Sequence, residues 1–595
     1  MKIKKTTYLL FLGIICSTFS FGQDTCNQAI SITAGNHVVA TVNGSQISNP
    51  FCSNTGNATA AEWYTYTPTQ NYNLTVTTDI TENTPRVDTR FHVYTGNCGT
   101  LICHSGDDDS GANFSSIKTF PVEAGTTYYI VFDNRWSSNG FTFQLIESTY
   151  IPPIPTPVTF TPQTIGSISG SYQICVADLN GDYLDDIVSV SSTNVQVHYQ
   201  LTGGGFSISE IPTTAATFLP SWSIAVADYD KNGFNDLVYG GGSGVTFMKA
   251  NATGTGFTQT SGTQYVFSQR TNFVDINNDG HLDAFVCHDV QPNVYYLNDG
   301  SGNLNFIQGG IGDHPQGGNY GSIWVDYDND GDQDLFLAKC RGGSSTAKFN
   351  ELHRNDGNGV FTNVSAIANL YDPVQTWSSA WNDYDNDGFM DIVIGASSTS
   401  DGSHKVMKNN GDGTFSNVTI GSGWENNSTL STEHVSYDFD NDGFADVLGG
   451  GGKIMFNNGN FTFSPVTYAF TSGSIGDLNN DGFLDIRNGN TIYYNNGNSN
   501  NWIKINLQGI QSNRNGIGAR VEIYGAWGKQ IRDVRSGEGF RFMNTLNVHF
   551  GIGTATSIDE IHILWPSGVV DVIENPNINQ ALLVIEGASP LSLTE

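Results

Sequence analysis

Basic residues are scarce in this chain: 25 Lys and Arg stand against 57 Asp and Glu, giving a net charge of −32 at pH 7. Such a surface repels nucleic acid and anionic lipid and draws cations. Cysteine is scarce too, with 8 in 595 residues and neither a Cys-x-x-Cys pair nor a Cys/His cluster, so no ligand set for structural zinc is present. His-Glu-x-x-His and Gly-x-Ser-x-Gly are absent, the 12 histidines are scattered, and no strand, Gly-rich loop and helix follow in the order a phosphate site needs. Beyond the N-terminus no stretch is apolar enough to span a membrane. Low aromatic content, the mark of a disordered acidic chain, is missing as well: aromatics make up 12%. The acidity therefore requires a structural explanation.

At this length several domains are expected. Lys2, Lys4 and Lys5 precede an apolar run from Tyr8 to Phe21, with Ser20 and Gly22 at signal-peptidase spacing, so residues 1–22 read as a secretory signal cut before Gln23. A first transmembrane helix is the alternative, but the unbroken apolar stretch falls short of the roughly 20 residues a span needs. Removing the signal leaves 22 basic against 57 acidic residues, a net −35. Of the seven remaining cysteines, Cys26, Cys52, Cys98 and Cys103 lie within the first 130 residues, where an oxidising compartment allows pairing. The reading favours Cys26 with Cys52 and Cys98 with Cys103; the other two connectivities stay open. Cys175, Cys287 and Cys340 fall in apolar strand-like stretches and read as buried thiols. The C-terminus, ASPLSLTE, shows no anchor or sorting signal, which leaves release and surface retention both open.

One nine-residue pattern, Asp-x-Asp/Asn-x-Asp/Asn-Gly-x-x-Asp with an apolar residue after it, occurs seven times. The copies begin at Asp178, Asp228, Asp275, Asp326, Asp383, Asp438 and Asp477, at steps of 50, 47, 51, 57, 55 and 39 residues. Short apolar runs rich in β-branched and aromatic residues flank each copy, as in SIAVADYD and DLVYGG around the second, and none has a 3.6-residue period. Downstream phrases such as YLNDGSGNLNF, HRNDGNGVF and MKNNGDGTF carry the Asn-Gly and Asp-Gly pairs of hairpins. Four strands per repeat, seven times over, predict a seven-bladed β-propeller; an open β-solenoid, whose repeat is normally shorter, is the alternative.

The loops predict calcium, a hard cation that takes six to eight oxygens. Alternate residues of a tight loop turn inward on one point. The first-position ligands are the seven aspartates that open the copies. The third-position ligands are Asn180, Asp230, Asn277, Asp328, Asp385, Asp440 and Asn479. The fifth are Asp182, Asn232, Asp279, Asp330, Asp387, Asp442 and Asp481. Backbone carbonyls of Leu184, Phe234, His281, Asp332, Phe389, Phe444 and Phe483 add the seventh-position oxygens, with the His281 side chain left facing solvent. The ninth are Asp186, Asp236, Asp283, Asp334, Asp391, Asp446 and Asp485. These loops hold 26 of the 57 acidic residues, and so much crowded charge would repel strongly without a cation. An EF-hand is excluded, since the twelfth residues of copies four to six are Leu337, Ile394 and Gly449 rather than glutamate. Magnesium is disfavoured because it keeps its water and takes few carboxylates. Tyr183 stands where the other six copies have glycine, so the first loop is the weakest candidate.

These repeats resemble the FG-GAP or VCBS repeats of integrin α-subunit propellers and of many bacterial secreted proteins, a resemblance that implies calcium-binding loops. The phrases CGTLICHSGDDDSGANFSSI, AGTTYYIVFDN and GFTFQLIES within 23–148 resemble pre-peptidase C-terminal domains, jelly-roll-like β modules, where Asp107, Asp108 and Asp109 read equally as a further calcium loop or a solvated turn. IPPIPTPVTFTP marks a Pro-rich linker over 149–165. The propeller then covers 166–500. NRNGIGARVEIYG, IRDVRSGEGF, VHFGIG and IHILWPSG within 501–588 resemble the ASPIC/UnbV domain of cartilage acidic protein-like chains, leaving a tail at 589–595. There Gly516, Gly518, Gly537 and Gly539 read as turn and close-packing glycines, and Trp565 as core.

The expected fold is all-β, and the expected function is that of a secreted calcium-binding propeller serving extracellular binding, adhesion or scaffolding toward a glycan or protein ligand. The alternative is a calcium-dependent polysaccharide-degrading enzyme such as a lyase, since similar propellers occur among lyases. No acid, base or nucleophile set supports catalysis. Trp136, Trp424 and Trp527 are the aromatics offered for sugar stacking, with ordinary packing as the other reading of each.

Overall fold

A computed structural model describes residues 23–53, 56–149 and 156–593. The signal-like segment and residues 150–155 of the Pro-rich linker lie outside the described residues. The chain divides into two compact units, Met1–Pro155 and Thr156–Glu595.

The first unit pairs two sheets. One holds five strands in the order Ile30–Ile32, Ala61–Tyr66, Tyr128–Asp133, Arg90–Asn97 and Thr100–Asp107. The other holds four: Gly35–Thr41, Asn139–Thr149, Tyr72–Thr77 and Ile117–Val122. Alternating residues from both, among them Leu74, Val76, Phe91, Val93, Phe132 and Phe143, fill the core between them. Each such side chain, fully buried, contributes about 1.5–3 kcal/mol.

The disulfides differ from the favoured reading: Cys26 joins Cys98 and Cys52 joins Cys103. Cys98 sits at the turn of the Arg90–Asp107 hairpin and Cys103 lies well up its second strand. At roughly 3.3 Å of rise per residue the two stand too far apart to bridge, because a disulfide needs Cα atoms within about 7 Å. Cys175 and Cys287 are buried thiols as expected. Cys340 is only half-buried, just beyond the strand Asp334–Lys339, and accepts a hydrogen bond from Trp377 Nε1 at 3.0 Å.

In the second unit seven four-stranded sheets succeed one another in a propeller-like series. Six are antiparallel meanders of consecutive strands. In the seventh, Phe160–Thr164 pairs with Thr491–Asn495, so the start of the unit completes the last sheet and closes the series. In repeats such as the second the two inner strands are buried on both faces, as in Ile224–Ala227 and Asp236–Gly241, which is why their sequences read as continuous apolar runs. The outermost strands, such as Phe206–Pro212, alternate toward solvent.

Residues 501–593 form two further four-stranded sheets that share a core with the repeats. Ala225, Val238, Phe273 and Val286 pack in one cluster with Ile505, Val521, Phe550 and Ile563. Trp565 is core, as read. One segment makes a series of hydrogen bonds between the two parts. Ser536 Oγ donates to Val226 O at 2.8 Å, and Arg270 Nη1 donates to Phe542 O at 2.9 Å. Glu433 accepts from the amides of Phe540 and Arg541, both at 2.9 Å. Met543 N donates to Ile174 O, and Thr545 N to Ile475 O. Gly539 has a φ of +65°, and a Cβ there would lie 1.9 Å from Glu433 Oε1, so close packing and backbone conformation both demand glycine.

Candidate metal centre

Each acidic loop joins two antiparallel strands, with the first aspartate just past one and the ninth opening the next; Asn382 pairs with Asp391 in the fifth repeat. The first aspartate shapes the loop. In that repeat Asp383 Oδ1 accepts from the Asp387 amide at 3.0 Å and Oδ2 from the Gly388 amide at 2.8 Å. The ninth aspartate locks the loop to its sheet. Asp391 Oδ2 accepts from the Tyr384 amide at 3.0 Å, and Oδ1 from the Asn409 amide of the third strand at 2.7 Å. The same anchoring to the third strand recurs through Gln200, Ala250, Asn298, Asn355, Asn457 and Asn495.

The geometry brings first, third and ninth carboxylates together in four loops. Asp228, Asp230 and Asp236 form one group; Asp326, Asp328 and Asp334 a second; Asp383, Asp385 and Asp391 a third; Asp438, Asp440 and Asp446 a fourth. In each, three carboxylate oxygens lie within 4.8 Å of one another. Fifth-position carboxylates are turned to the loop backbone: Asp387 Oδ1 accepts from the Phe389 amide at 3.0 Å, and Asp442 Oδ1 from the Phe444 amide at 2.8 Å. In loops 1, 3 and 7 the third-position Asn180, Asn277 and Asn479 each donate an amide hydrogen to Asp182, Asp279 and Asp481 at 2.9 Å.

The donors fit a cation. Asp328 Oδ1, Asp385 Oδ1 and Asn277 Oδ1, all at third positions, are buried oxygens with no hydrogen-bond partner. A buried acceptor left unpaired costs about 1–3 kcal/mol, which a metal ion would remove. The ninth carboxylates carry the electrostatic cost. Burial, reinforced by neighbouring carboxylates, pushes Asp236 and Asp283 up to about 8 and Asp334 to about 9. Asp391, Asp446 and Asp485 are driven well above the usual carboxylate range for the same reason.

Sequence reading missed the fourth position. It takes positive φ in every loop, at 56° to 64° for Asn278, Asn329, Asn386, Asn441 and Asn480 and 58° for Lys231. Asparagine tolerates that conformation better than most residues. In loops 4 to 6 its amide also ties the loop to the next: Asn329 Nδ2 donates to Gly388 O, Asn386 Nδ2 to Gly443 O and Asn441 Nδ2 to Gly482 O, at 2.9–3.1 Å. The recurrence of asparagine between the third and fifth positions was the signal. Repeat 1 moves its glycine to this position, where Gly181 has φ +79°, and Tyr183 takes φ +68° at the sixth. The C-terminal region holds Tyr183 there: its hydroxyl donates to Gln508 Oε1 at 2.5 Å, and Asn547 Nδ2 donates to its carbonyl at 3.1 Å.

Other assignments change. The His281 side chain is half-buried and lies over Gly300, where a Cβ would meet Nε2 at 2.9 Å. Phe234, Phe389, Phe444 and Phe483 lie likewise over Gly254, Gly411, Gly459 and Gly497, so the seventh residue packs on the hairpin glycine of its own repeat. Trp424 is buried, because it packs among Tyr384, Val447, Met455 and Phe463, and it is no sugar platform. Trp527 packs against the core shared with the repeats, whereas Trp136 is 47% exposed. In the first unit Asp107 is engaged by Ser110 and the Ile117 amide, and Asp88 joins Asp108 and Asp109 instead.

The C-terminal region supplies cations to these loops. Lys504 Nζ lies 3.2 Å from Asp477 Oδ2, both buried. Arg514 stands 3.7 Å from Asp228, and Arg520 3.8 Å from Asp326. Buried Arg532 feels the charges of Asp438 and Asp383.

The FG-GAP-like repeat family matches residues 178–239, 275–337, 326–394 and 383–449, and the ASPIC and UnbV family matches 509–591. Comparison with curated proteins yields no match. Among solved structures, the Photorhabdus luminescens Tc holotoxin pore aligns at 13% identity and a TM-score of 0.27 over 55% of this chain, which spans only 15% of the toxin chain. Saccharomyces cerevisiae Sqt1 aligns at 11% identity and 0.34, over 70% of this chain and 98% of its own. The NanB sialidase from Streptococcus pneumoniae aligns at 8% and 0.31, over 74% and 94%.

Proposed function

For a chain that carries FG-GAP-like repeats followed by an ASPIC and UnbV domain, we propose the role of a secreted calcium-loaded scaffold that binds an extracellular glycan or protein and performs no catalysis. The unpartnered third-position oxygens inside the acidic loops carry the calcium reading. When bound, calcium supplies charge compensation and rigidity, fixing loops that otherwise hold buried carboxylates against one another. The first, third, fifth and ninth side chains and the seventh carbonyls named above would hold it. Two disulfides in the first unit and the absence of a membrane-crossing helix among the described residues accord with an extracellular-type protein. The use of the acidic groups, which serve the loops, supports binding over catalysis. Elemental analysis of protein dialysed free of metal and then titrated is expected to find five to seven calcium ions in the repeat unit. Two or fewer would end this reading.

The carboxylate shifts give a second expectation. Unfolded aspartate titrates near 3.9, so above about pH 4 the metal-free native protein holds protons that the unfolded chain has lost, on Asp236 and Asp283 up to about pH 8 and on Asp334 up to about pH 9. The contribution of these groups to stability is full below the unfolded value and lost as pH rises through the folded one. Metal-free protein should therefore melt at progressively lower temperature from pH 5 to pH 9. With saturating calcium the decline should largely vanish, because the ion takes the place of the protons. A metal-free melting temperature that rises across this range would contradict the assignment.

A further inference from the structure

Loops 5 and 6 are nearly the same nine residues, DYDNDGFMD and DFDNDGFAD, with identical carboxylates at the first, third, fifth and ninth positions. Both also stand before Arg532. They differ in what their own third strand presents. The residue preceding the anchoring Asn409 is Lys408, and the residue preceding Asn457 is Phe456. Lys408 Nζ lies 2.6 Å from Asp387 Oδ2, pairs also with Asp385 Oδ2, and sits 5.0 Å from the Phe461 ring. It thus engages the third- and fifth-position carboxylates, while the buried Asp385 Oδ1 still lacks a partner.

Loop 2 repeats the arrangement. Lys249, which precedes the anchoring Ala250, places Nζ 2.7 Å from the third-position Asp230 Oδ2 and 5.9 Å from the Tyr229 ring. At the same register loops 1, 3 and 7 have Tyr199, Leu297 and Tyr494. Loop 4 has Arg354, whose guanidinium pairs with Asp356 at 2.7 Å.

On these contacts, and resting on the calcium reading above, we propose that Lys408 and Lys249 are tethered counter-ions that compete with calcium for loops 5 and 2. The two lysines separate lysine-gated sites from open ones such as loop 6. The ammonium is a single charge on a flexible stem, partly exposed in both cases. At low calcium it neutralises the projecting carboxylates. A divalent ion that also reaches the first and ninth carboxylates displaces it, and the lysine swings to solvent. Loops 2 and 5 accordingly fill at higher calcium than loop 6, and their repeats keep a counter-charge when the ion is withdrawn.

The test is amine labelling of the full-length protein, metal-free and at saturating calcium, read lysine by lysine by mass spectrometry. Calcium alone is the probe. Labelling of Lys408 and Lys249 should rise several-fold with calcium, while Lys348, which pairs with Asp401 at 2.6 Å, should not respond. Calcium titration of Lys408→Met and Lys249→Met should each show one weak site tightened by roughly three- to tenfold. Calcium uptake with unchanged labelling of both lysines overturns the proposal and leaves the calcium reading standing. Titration curves of both variants that superpose on the parent's do the same. If elemental analysis finds no calcium in the parent, both fall together. Labelling needs no substitution, so a variant that fails to fold does not block the decision.

Discussion

Withdrawing calcium is expected to lower the melting temperature of the repeat unit by about ten degrees or more. An ion that binds only the native state adds RT ln(1 + [L]/Kd), which at about twenty times Kd is roughly 1.8 kcal/mol per site. Six filled loops would then contribute about 11 kcal/mol, comparable with the whole stability of many domains. The loss is large because the carboxylates left behind are buried, and the asparagine bonds between successive loops pass any loosening to the neighbouring repeat. The first unit, with one acidic group of its own at Asp88, Asp108 and Asp109, should shift by no more than a single site supplies. Differential scanning calorimetry with and without chelator separates the two transitions. A repeat-unit transition unmoved by chelator would mean that the loops are not structural metal sites.

The second large effect is expected at Glu433. This buried carboxylate accepts from the amides of Phe540 and Arg541 and faces the charge of buried Arg270. Arg270 has unpartnered Nε and Nη2 atoms, so it depends on that charge. Glu433→Ala would leave two buried amides without acceptors and the guanidinium without compensation. Each buried amide left without its acceptor costs about 1–3 kcal/mol. Glu433→Gln, which keeps one acceptor in place, should cost less. Urea unfolding measured at fixed calcium gives both numbers, and a loss below about 1 kcal/mol for the alanine variant would show that the segment 535–545 does not hold the repeats together.

The seven loops were legible in the sequence because their parts are neighbours along the chain. First, third and ninth carboxylates lie within nine residues, and a local turn brings them to one point, as the groups at Asp228, Asp326, Asp383 and Asp438 show. Strands were legible for the same reason: apolar runs and hairpin glycines act over a few residues. The all-β class and the repeat thus followed from local pattern alone.

Tertiary structure decided whatever joins residues far apart in the chain. The pairing of Cys26 with Cys98 depends on where a 3₁₀ turn meets a distant hairpin, which spacing cannot specify. Tyr183 keeps its left-handed backbone because Gln508 and Asn547, more than 300 residues on, bind its hydroxyl and carbonyl. Lys504, Arg514, Arg520 and Arg532 reach the acidic loops from a region whose motifs read as a separate domain. Even the difference between loops 5 and 6 lies outside the motif, in a strand that register sets beside it. Local carboxylate spacing is written into the chain by the short reach of a turn; which cation meets which carboxylate is settled only when packing brings distant strands and loops together.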